Sequence, residues 1–295
     1  MRRIEGHRRW LKSGELSIEH SPHNLEALQE ALPGLTINHP VTQPTADEDE
    51  LKAFGGDLPT YTPPTQPYAH QKRASAKVGD SPHFALFMEQ GTGKSKVAID
   101  KACERYVAGE ISALLVVAPK GVHRQWAESQ LALHCGVPYE AAIWPLRELP
   151  TSLSQPGKLA VLCINIDAIR TPKGFKTCSD FIQSHRGRVL FVMDEAHRIK
   201  SKSTQSWKKA NMLGQLAKQR FALTGTPIAK ELTDEWAILS WVNEKIIGIR
   251  YITAFRNEYC IMGGWQNKVV VSYRNMDAFN RKADPFIFRA TKEEI

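Results

Sequence analysis

Residues 84–99, FALFMEQGTGKSKVAI, constrain the fold of this 295-residue chain more than any other stretch. Phe84–Met88 is a short apolar run, which is typical of a strand buried on both faces. A loop with Gly91 and Gly93 follows, and apolar residues then recur at helical spacing after Lys94. Strand, glycine-rich loop and helix in this order predict a phosphate-binding loop. Glycine lets backbone N–H groups approach a triphosphate, and the helix N-terminus adds partial positive charge.

Each residue of this loop has an expected part in binding a nucleotide. Lys94 is expected to reach the β- and γ-phosphates, and the Ser95 hydroxyl to hold Mg²⁺. Gln90 and Thr92 complete the predicted phosphate-facing loop. The first glycine of the pattern G-x-x-x-x-G-K-[ST] is replaced by Met88, so the alternative is a surface turn that merely contains Gly-Lys-Ser. The residues downstream decide between the two.

Composition excludes several classes of protein. Charged residues make up 24% and hydrophobic residues 42% of the chain, as in ordinary globular proteins. No apolar run approaches the roughly 18–20 residues that cross a bilayer, and no apolar segment typical of a signal peptide follows the first residues. The five cysteines are widely spaced without a CxxC pair, which argues against a zinc site and a disulfide framework and favours a reducing cytosol.

The net charge of +8 is unevenly distributed. Residues 1–66 carry 6 basic and 10 acidic residues, whereas residues 67–295 carry 33 basic and 21 acidic residues, a net charge of +12. A basic body of this size is compatible with a polyanionic partner such as nucleic acid, although solubility alone also explains a positive charge.

Three segments are expected along the chain. Residues 1–39 predict a small α+β unit, with a hairpin turn at residues 12–14 followed by a leucine-rich helix, as a functional module or as simple decoration. Residues 40–67 are rich in proline and include an acidic run, which predicts a linker. Residues 68–295 are expected to form the main domain.

The main domain alternates strand and helix patterns. After the first strand, helical segments separate further apolar runs, which are Leu114–Ala118, Leu159–Ile164, Val189–Met193 and Phe221–Leu223. Continuous apolar strands alternating with helices predict an α/β fold, a parallel sheet covered by helices on both faces. Polar motifs follow these strands, and in such sheets ligands bind beyond the carboxyl ends of the strands.

Two carboxylates follow the strand Val189–Met193. A carboxylate at the end of a buried strand is costly unless it is paired or binds a metal. Asp194 is therefore expected to organise Mg²⁺ opposite Ser95, and Glu195 to orient and deprotonate an attacking water. The alternative is that both acids merely begin a helix, where negative charge is favourable.

The ordered motifs resemble those of superfamily 2 helicases, specifically the Swi/Snf-type double-stranded DNA translocases. The matching segments are MEQGTGKS, APKGVHRQW, VMDEAHRIK with its DEAH box, and LTGTP. In this family an acidic residue precedes Gly-x-Gly-Lys-[Ser/Thr], so Met88 is no longer an objection. Phe288 departs from the Arg-Arg-x-Lys that the family usually carries in the segment leaving its first lobe. The resemblance covers about residues 67–295 and implies a RecA-like first lobe.

The resemblance also implies residue roles. Gln71 would contact adenine, while Gly91, Gly93, Lys94 and Ser95 would hold the phosphates of ATP with Mg²⁺. Thr224 and Thr226 would couple the nucleotide state to DNA contact. His197 would bridge motifs structurally rather than act in acid–base chemistry.

The nucleic-acid face would carry Pro119, Lys120 and Arg124, reading phosphate rather than base. For Lys120 and Arg124, an ordinary solvated basic surface is the alternative. Residues 1–39 are similar to small hairpin–helix units that precede this lobe in some phage and annealing-helicase-type relatives. This similarity suggests a bacterial or phage protein in the host cytoplasm.

The family also needs a second RecA-like lobe, whose arginines reach the γ-phosphate, and that lobe is expected in cis or in trans. The first interpretation is therefore the ATP-binding lobe of a double-stranded DNA translocase, nearly inactive as an isolated chain and without a membrane partner. Two alternatives stay open. One is a helicase-like subunit of a restriction or defence complex, and the other is a binding module that uses ATP as a switch.

Overall fold

The computed structural model describes residues 9–10, 16–17, 61–225, 231–264, 266 and 269–294. The chain divides into two units, Met1–Leu58 and Pro59–Ile295. In the first unit, strands β1 (Arg9–Trp10) and β2 (Leu16–Ser17) pair in antiparallel fashion on either side of the predicted turn. The helix predicted for this unit and most of the predicted linker lie outside the described residues.

The second unit is built on a parallel sheet. Its strands are β3 (His83–Met88), β4 (Ala113–Ala118), β5 (Tyr139–Ile143), β6 (Leu159–Asn165), β7 (Val189–Met193), β8 (Gln219–Thr224) and β11 (Ile287–Ala290). A separate antiparallel pair consists of β9 (Cys260–Gly263) and β10 (Val269–Tyr273). The seven strands lie in the order β11-β3-β8-β7-β4-β6-β5, and every neighbouring pair is parallel. The predicted parallel α/β sheet is confirmed.

Helices connect the strands. They are α1 (Ala69–Val78), α2 (Lys94–Val107), α3 (Val122–Gln125), α4 (Leu131–His134), α5 (Pro172–Ser184), α6 (Gln205–Gly214), α7 (Leu232–Val242), α8 (Ile252–Tyr259) and α9 (Met276–Ala283). A π-helical turn, Trp126–Gln130, joins α3 to α4. Short 3₁₀ turns occur at Thr151–Ser154, Ala168–Arg170, Ala196–Ile199, Asp284–Phe286 and Lys292–Glu294.

The core lies on both faces of the sheet, because alternate residues of each strand point to opposite sides. One apolar cluster includes Leu115 and Phe191, and the other includes Leu114 and Phe221. Strands β4 and β7 are buried along their whole length, which explains why they are apolar without alternation. Three tryptophans pack into the first cluster and are almost fully buried, namely Trp207, Trp236 and Trp241.

The sheet has a polar carboxyl edge. The loop after β3, the turn after β4 and the acidic turn after β7 all leave the sheet there, as the sequence predicts. Within the described part of the chain, the helices are too short or too polar to span a bilayer.

Candidate nucleotide-binding site

The loop between β3 and α2 depends on two glycines with positive φ angles. Gly91 has φ +90° and Gly93 has φ +83°, in a region that L side chains rarely adopt. Gly93 caps the N-terminus of α2, so Lys94 and Ser95 occupy its first turn, where free N–H groups favour an anion. This is the strand, loop and helix arrangement that the sequence predicts.

Helix α1 supports the loop from behind. The Gln71 side-chain amide donates a hydrogen bond to the Thr92 carbonyl oxygen at 3.2 Å and accepts one from the Tyr68 N–H at 3.0 Å. The His70 ring lies 2.7 Å from the same Thr92 oxygen through its Nε2 atom. A Cβ atom on Gly93 would lie 2.2 Å from the Gln71 amide nitrogen, so a larger residue here would have to displace the Gln71 side chain. Gln71 therefore braces the loop directly.

The chain leaving β11 also holds the loop. The Glu89 N–H donates to the Ala290 carbonyl at 2.9 Å, and the Lys292 N–H donates to the Glu89 carboxylate at 2.8 Å. The Lys292 ammonium lies 4.0 Å from the same carboxylate, and its Cε atom lies 3.7 Å from the position of a Cβ on Gly91. The exit segment and the phosphate loop are thus joined at the edge of the sheet.

Lys94 and Glu195 meet across the carboxyl edge. The Lys94 ammonium lies 3.6 Å from a Glu195 carboxylate oxygen, although β8 separates the two strands that carry these residues. The Lys94 side chain is only 9% exposed, whereas that of Glu195 is 24% exposed. A buried ammonium with one partly exposed carboxylate neighbour is well placed to exchange that neighbour for an incoming phosphate.

Asp194 is buried beneath this contact. The Trp126 indole N–H donates to one carboxylate oxygen at 2.8 Å, and the Glu195 N–H donates to the other at 2.9 Å. Burial raises the pKa of Asp194, while the Trp126 hydrogen bond and the Lys94 charge act in the opposite direction. The environment therefore supplies less positive charge than this carboxylate requires, and a cation would offset the deficit.

Glu195 has the opposite electrostatic character. Its φ of 52° turns the chain sharply after β7 and brings its side chain back beside His197, whose Nδ1 atom lies 3.1 Å from the carboxylate. The interaction with His197 lowers the pKa of Glu195, and the Lys94 ammonium adds to this effect against the cost of burial. Glu195 is therefore an anion at neutral pH.

The end of β8 closes the site from the side. Thr224 is buried at the last position of β8. A Cβ atom on Gly225 would lie 3.4 Å from the Gln90 nitrogen and 3.5 Å from the Lys94 ammonium. The strand end therefore abuts the phosphate loop. Thr226, the other predicted coupling residue, lies outside the described residues.

The residues expected on a nucleic-acid face follow β4. Lys120 is exposed, and Arg124 is about half exposed with its guanidinium 3.7 Å from Glu128. Pro119 is buried, and its carbonyl oxygen accepts the His123 N–H at 3.2 Å. Pro119 therefore shapes the turn, while the two basic side chains reach the surface.

The described residues contain no cluster of three or more histidine, cysteine or acidic side chains that would hold a metal alone. Mg²⁺ commonly binds through one or two protein oxygens together with phosphates and water. Asp194 with the Ser95 hydroxyl fits that mode of binding.

Sequence reasoning assigned no role to Trp126, His70, Glu89 or Gly225, although each contacts a predicted site residue. Their positions beside the motifs were visible in the sequence. Their partners were not, because each contact joins segments far apart in the chain.

The fold and the site define a RecA-like lobe with a phosphate-binding loop. The model of the SNF2-related domain matches residues 31–295, most of the chain, and the chain therefore belongs to this family of Swi/Snf-type superfamily 2 proteins. The match begins within the segment predicted as a separate N-terminal unit, so the boundaries at residues 39 and 67 stay predictions.

Known proteins agree with this assignment. The chromatin-remodeling ATPase INO80 of Drosophila melanogaster is 24% identical over 225 residues, covering 70% of this chain and 13% of that protein. The DNA repair and recombination protein RAD54-like of Danio rerio is 32% identical over 81 residues, covering 27% of this chain and 11% of that protein.

Among solved structures, the SWI2/SNF2 ATPase core of Sulfolobus solfataricus in complex with dsDNA has a TM-score of 0.60 at 21% identity. The alignment covers 80% of this chain and 46% of that chain, and it supports the RecA-like fold. This chain thus spans less than half of that core and about an eighth of the INO80 protein.

Proposed function

We propose that this chain is the first, ATP-binding lobe of an ATP-dependent translocase that moves on double-stranded DNA. The observation that carries the proposal is the convergence of Lys94 from the glycine loop with Asp194 and Glu195 from the acidic turn. A cation for phosphate, a buried carboxylate for a metal and a second, ionised carboxylate for water are the parts of a nucleoside triphosphatase.

The loop would bind the triphosphate of ATP. Its members are Gln90, Gly91, Thr92, Gly93, Lys94 and Ser95. Lys94 would leave Glu195 and contact the β- and γ-phosphates, because a doubly charged phosphate competes well with one carboxylate. Gln71 would keep its bond to Thr92 through one amide N–H, and its other N–H would meet adenine.

Asp194 and the Ser95 hydroxyl would hold Mg²⁺, which when bound neutralises charge on the phosphates. Glu195, released from Lys94, would accept a hydrogen bond from the attacking water and orient it in line with the γ-phosphate. His197 would keep the Glu195 side chain in place, because it contacts the oxygen that does not face Lys94.

Lys120 and Arg124 would bind the DNA backbone. Both are exposed at the carboxyl edge, and the solved archaeal relative is a complex with dsDNA. Contacts of this kind read phosphate, so binding would be independent of sequence and would weaken steeply with salt. Thr224, Thr226 and Gly225 would couple this face to the nucleotide, because the end of β8 abuts Lys94.

Turnover would require a second RecA-like lobe, in cis or in trans. The arginines that such a lobe supplies to the transition state contribute roughly 10³–10⁵ in rate. We therefore expect residues 1–295 alone to bind ATP and to hydrolyse it very slowly.

We further propose a reducing cytoplasm as the location, since all five cysteines are free thiols. The relatives named above come from animals and an archaeon, so a bacterial or phage origin rests on the similarity of the N-terminal unit alone.

The decisive experiment measures nucleotide binding and turnover separately. Calorimetry with a non-hydrolysable ATP analogue and Mg²⁺ should show binding by residues 1–295, and Lys94→Ala should weaken it at least about 30-fold, the loss of a charge contact of about 2 kcal/mol. Lys101→Ala is the matched control, because Lys101 lies on the same helix but pairs with Glu104 at 2.8 Å. Unchanged affinity in Lys94→Ala would overturn the phosphate-loop assignment.

Turnover is then assayed with the second lobe added, with double-stranded or single-stranded DNA. Stimulation by duplex DNA alone would support translocation on double-stranded DNA. Binding of ATP without DNA-stimulated turnover would favour the alternative, an ATP-switched binding subunit of a larger complex.

A further inference from the structure

A second group of reactive side chains lies away from the nucleotide site, between the middle of α2 and the end of α4. The sulfur atoms of Cys103 and Cys135 are 3.5 Å apart, although 32 residues separate them in sequence. Cys103 lies on α2, and Cys135 is the residue that ends α4. Cys163, Cys178 and Cys260 are buried elsewhere in the core.

The surroundings hold these two thiols together. Cys103 is fully buried, whereas Cys135 is partly exposed and also donates to the Val137 carbonyl at 3.4 Å. The hydrogen bond with Cys135 lowers the pKa of Cys103 against the effect of its burial. The pair therefore combines a sulfur that readily carries negative charge with one that solvent reaches, which are the two properties of a reactive thiol site.

The chain that enters the main domain covers this pair. The Tyr61 hydroxyl reaches the Asp100 carboxylate at 3.4 Å, and the Thr65 hydroxyl lies 2.9 Å from the His134 ring. A Cβ atom on Gly136 would lie 3.0 Å from the side chains of both Tyr61 and Pro64. Residues 61–65 thus pack over the middle of α2 and the end of α4, beside the two thiols.

We propose that Cys103 and Cys135 form a dithiol site that hydrogen peroxide or another small hydroperoxide oxidises to a reversible disulfide. A disulfide has an S–S length of about 2.05 Å, so the two sulfurs must approach by roughly 1.5 Å. The two sulfurs are already in contact at 3.5 Å, and rotation about the two χ1 angles would supply this approach.

The reaction balances with one hydroperoxide. Cys103 passes its proton to Cys135 across their contact while Cys135 releases its own to solvent, which leaves the thiolate on Cys103. The Cys103 thiolate attacks hydrogen peroxide, an S–O bond forms as the O–O bond breaks, and the departing hydroxide takes a proton from solvent and leaves as water. The Cys135 sulfur then attacks the sulfenic sulfur of Cys103, the S–S bond forms as the S–O bond breaks, and the departing hydroxide takes the Cys135 proton and leaves as a second water.

The bond would connect two functional elements. Helix α2 begins with Lys94 and Ser95 of the phosphate loop. The helical run that ends at Cys135 includes Arg124 in its first turn and follows the turn that carries Lys120. The disulfide would fix the separation of these two elements. The site itself does not depend on the proposed function, because its formation is measured without nucleotide or DNA.

The test is mass spectrometry of residues 1–295 treated with a small molar excess of hydrogen peroxide, then denatured and alkylated. We expect three alkylated cysteines in place of five, a loss of two hydrogens, a cross-linked Cys103–Cys135 peptide and full reversal by a dithiol reductant. Cys103→Ser and Cys135→Ser should each leave four alkylated cysteines after treatment, and Cys260→Ser, the control, should leave two. The closed loop should also raise the thermal midpoint of the oxidised protein.

Five alkylated cysteines after peroxide, a cross-link that involves another cysteine, or irreversible oxidation of Cys135 alone would overturn the proposal. Cys103→Ala and Cys135→Ala, checked for cooperative melting, guard against a serine variant that fails to fold. If a folded alanine variant still loses two thiols on treatment, the pair is not the site.

Discussion

The two edges of the sheet both carry buried charge, but they use it differently. At the amino edge, Arg105 is 3% exposed and donates to Gln219 at 2.5 Å and to the Ser81 carbonyl at 2.6 Å, with its guanidinium over the Phe221 ring. Gln219 in turn donates to Glu110 at 3.0 Å. Each charged or amide group of this network bonds to another member, and together the bonds join the end of α2 to the starts of β3 and β8.

The carboxyl edge is open by comparison. Lys94 has Glu195 at 3.6 Å, a long contact for a buried ammonium, whereas Arg105 donates to two oxygens at 2.5 and 2.6 Å. A buried charge with complete partners stabilises the fold, whereas one with incomplete partners is available to a ligand. The comparison predicts that variants at the carboxyl edge lose activity and variants at the amino edge lose stability.

The largest effect is expected from Glu195→Gln. In the two-lobed protein, turnover should fall by roughly 10²–10⁴, because an amide cannot accept a proton from water. ATP affinity should change little. The free energy of unfolding should fall by less than about 1 kcal/mol, since the partly exposed ion pair is weak. Phosphate release and denaturant melts measure the two quantities.

Glu128→Gln is the matched control, because Glu128 also faces a cation but lies on the surface beside Arg124. A Glu195→Gln protein with normal turnover would remove the water-orienting role. A Glu195→Gln protein that unfolds would show that the charges at the carboxyl edge stabilise the fold as much as those at the amino edge.

Arg105→Met should reverse this pattern. Methionine fills part of the volume but leaves the buried Gln219 oxygen and the partly buried Ser81 carbonyl without their donor. We therefore expect roughly 1–4 kcal/mol of destabilisation, most of it from the buried acceptor. Urea melts measure this loss, and ATP affinity of the remaining folded protein should be normal. Arg188→Met is the control, since Arg188 is exposed and donates to the Gly109 carbonyl at 2.6 Å. Equal melting of both variants would contradict a closed network at the amino edge.

The sequence predicted the central strands of the sheet well and the two outermost strands, β5 and β11, poorly. β3, β4, β6, β7 and β8 were all predicted, because burial on both faces makes a strand continuously apolar. β5 at one edge includes Glu140, and β11 at the other includes Arg289, so neither forms an apolar run. The strand order was also hidden, since hydrogen bonding between distant strands leaves no local pattern.

The site shows the same division. The glycines, Lys94 and the two acids were predicted, because their local order along one strand and loop carries the chemistry. The brace from Gln71 to Thr92 and the bond from Trp126 to Asp194 were not, since these contacts span 21 and 68 residues. Pro119 was expected on the nucleic-acid face and is buried, with its carbonyl accepting the His123 N–H.

Gly93→Ala tests whether the contact of Gln71 with the phosphate loop contributes to ATP binding as well as to stability. Alanine at φ +83° costs about 1–2 kcal/mol from the backbone alone, and its Cβ would lie 2.2 Å from the Gln71 amide nitrogen. Gly157→Ala is the matched control, with φ +84° and no atom within 4 Å of its Cβ. We expect Gly93→Ala to be less stable than the control by about 1–3 kcal/mol, from overpacking, and to bind ATP more weakly.

Adding Gln71→Ala to Gly93→Ala should restore part of the stability, because it removes the clashing atom. Thermal melts of the four variants form a double-mutant cycle. Additive losses would mean that Gln71 does not press against Gly93.

The smallest effect concerns pH and the amino edge. Burial, with the charges of Arg220 and Arg105, lowers the pKa of His83 from 6.5 to about 4. The folded protein then binds this proton less tightly than the unfolded chain, so the stability is complete above pH 6.5 and is lost as the pH falls toward about 4. Glu195 adds no loss in the upper part of this range, because its lowered pKa acts only below 4.5. Asp194 acts in the opposite sense, since its raised pKa makes protonation at low pH favourable in the folded state.

Between pH 7 and pH 5, we therefore expect His83 to cost about 1–2 kcal/mol of unfolding free energy, and His83→Gln to abolish that part of the slope. Denaturant melts across this range provide the measurement. His185→Gln is the comparison and should remove a separate part of the slope, because burial also lowers the pKa of that histidine, whose Nδ1 atom lies 3.1 Å from the Ser112 hydroxyl. If the unfolding free energy of His83→Gln depends on pH as in the original protein, the folded amino edge binds the His83 proton without loss of stability. The charged groups at this edge would then be less fully compensated by their partners than the hydrogen bonds of Arg105 indicate.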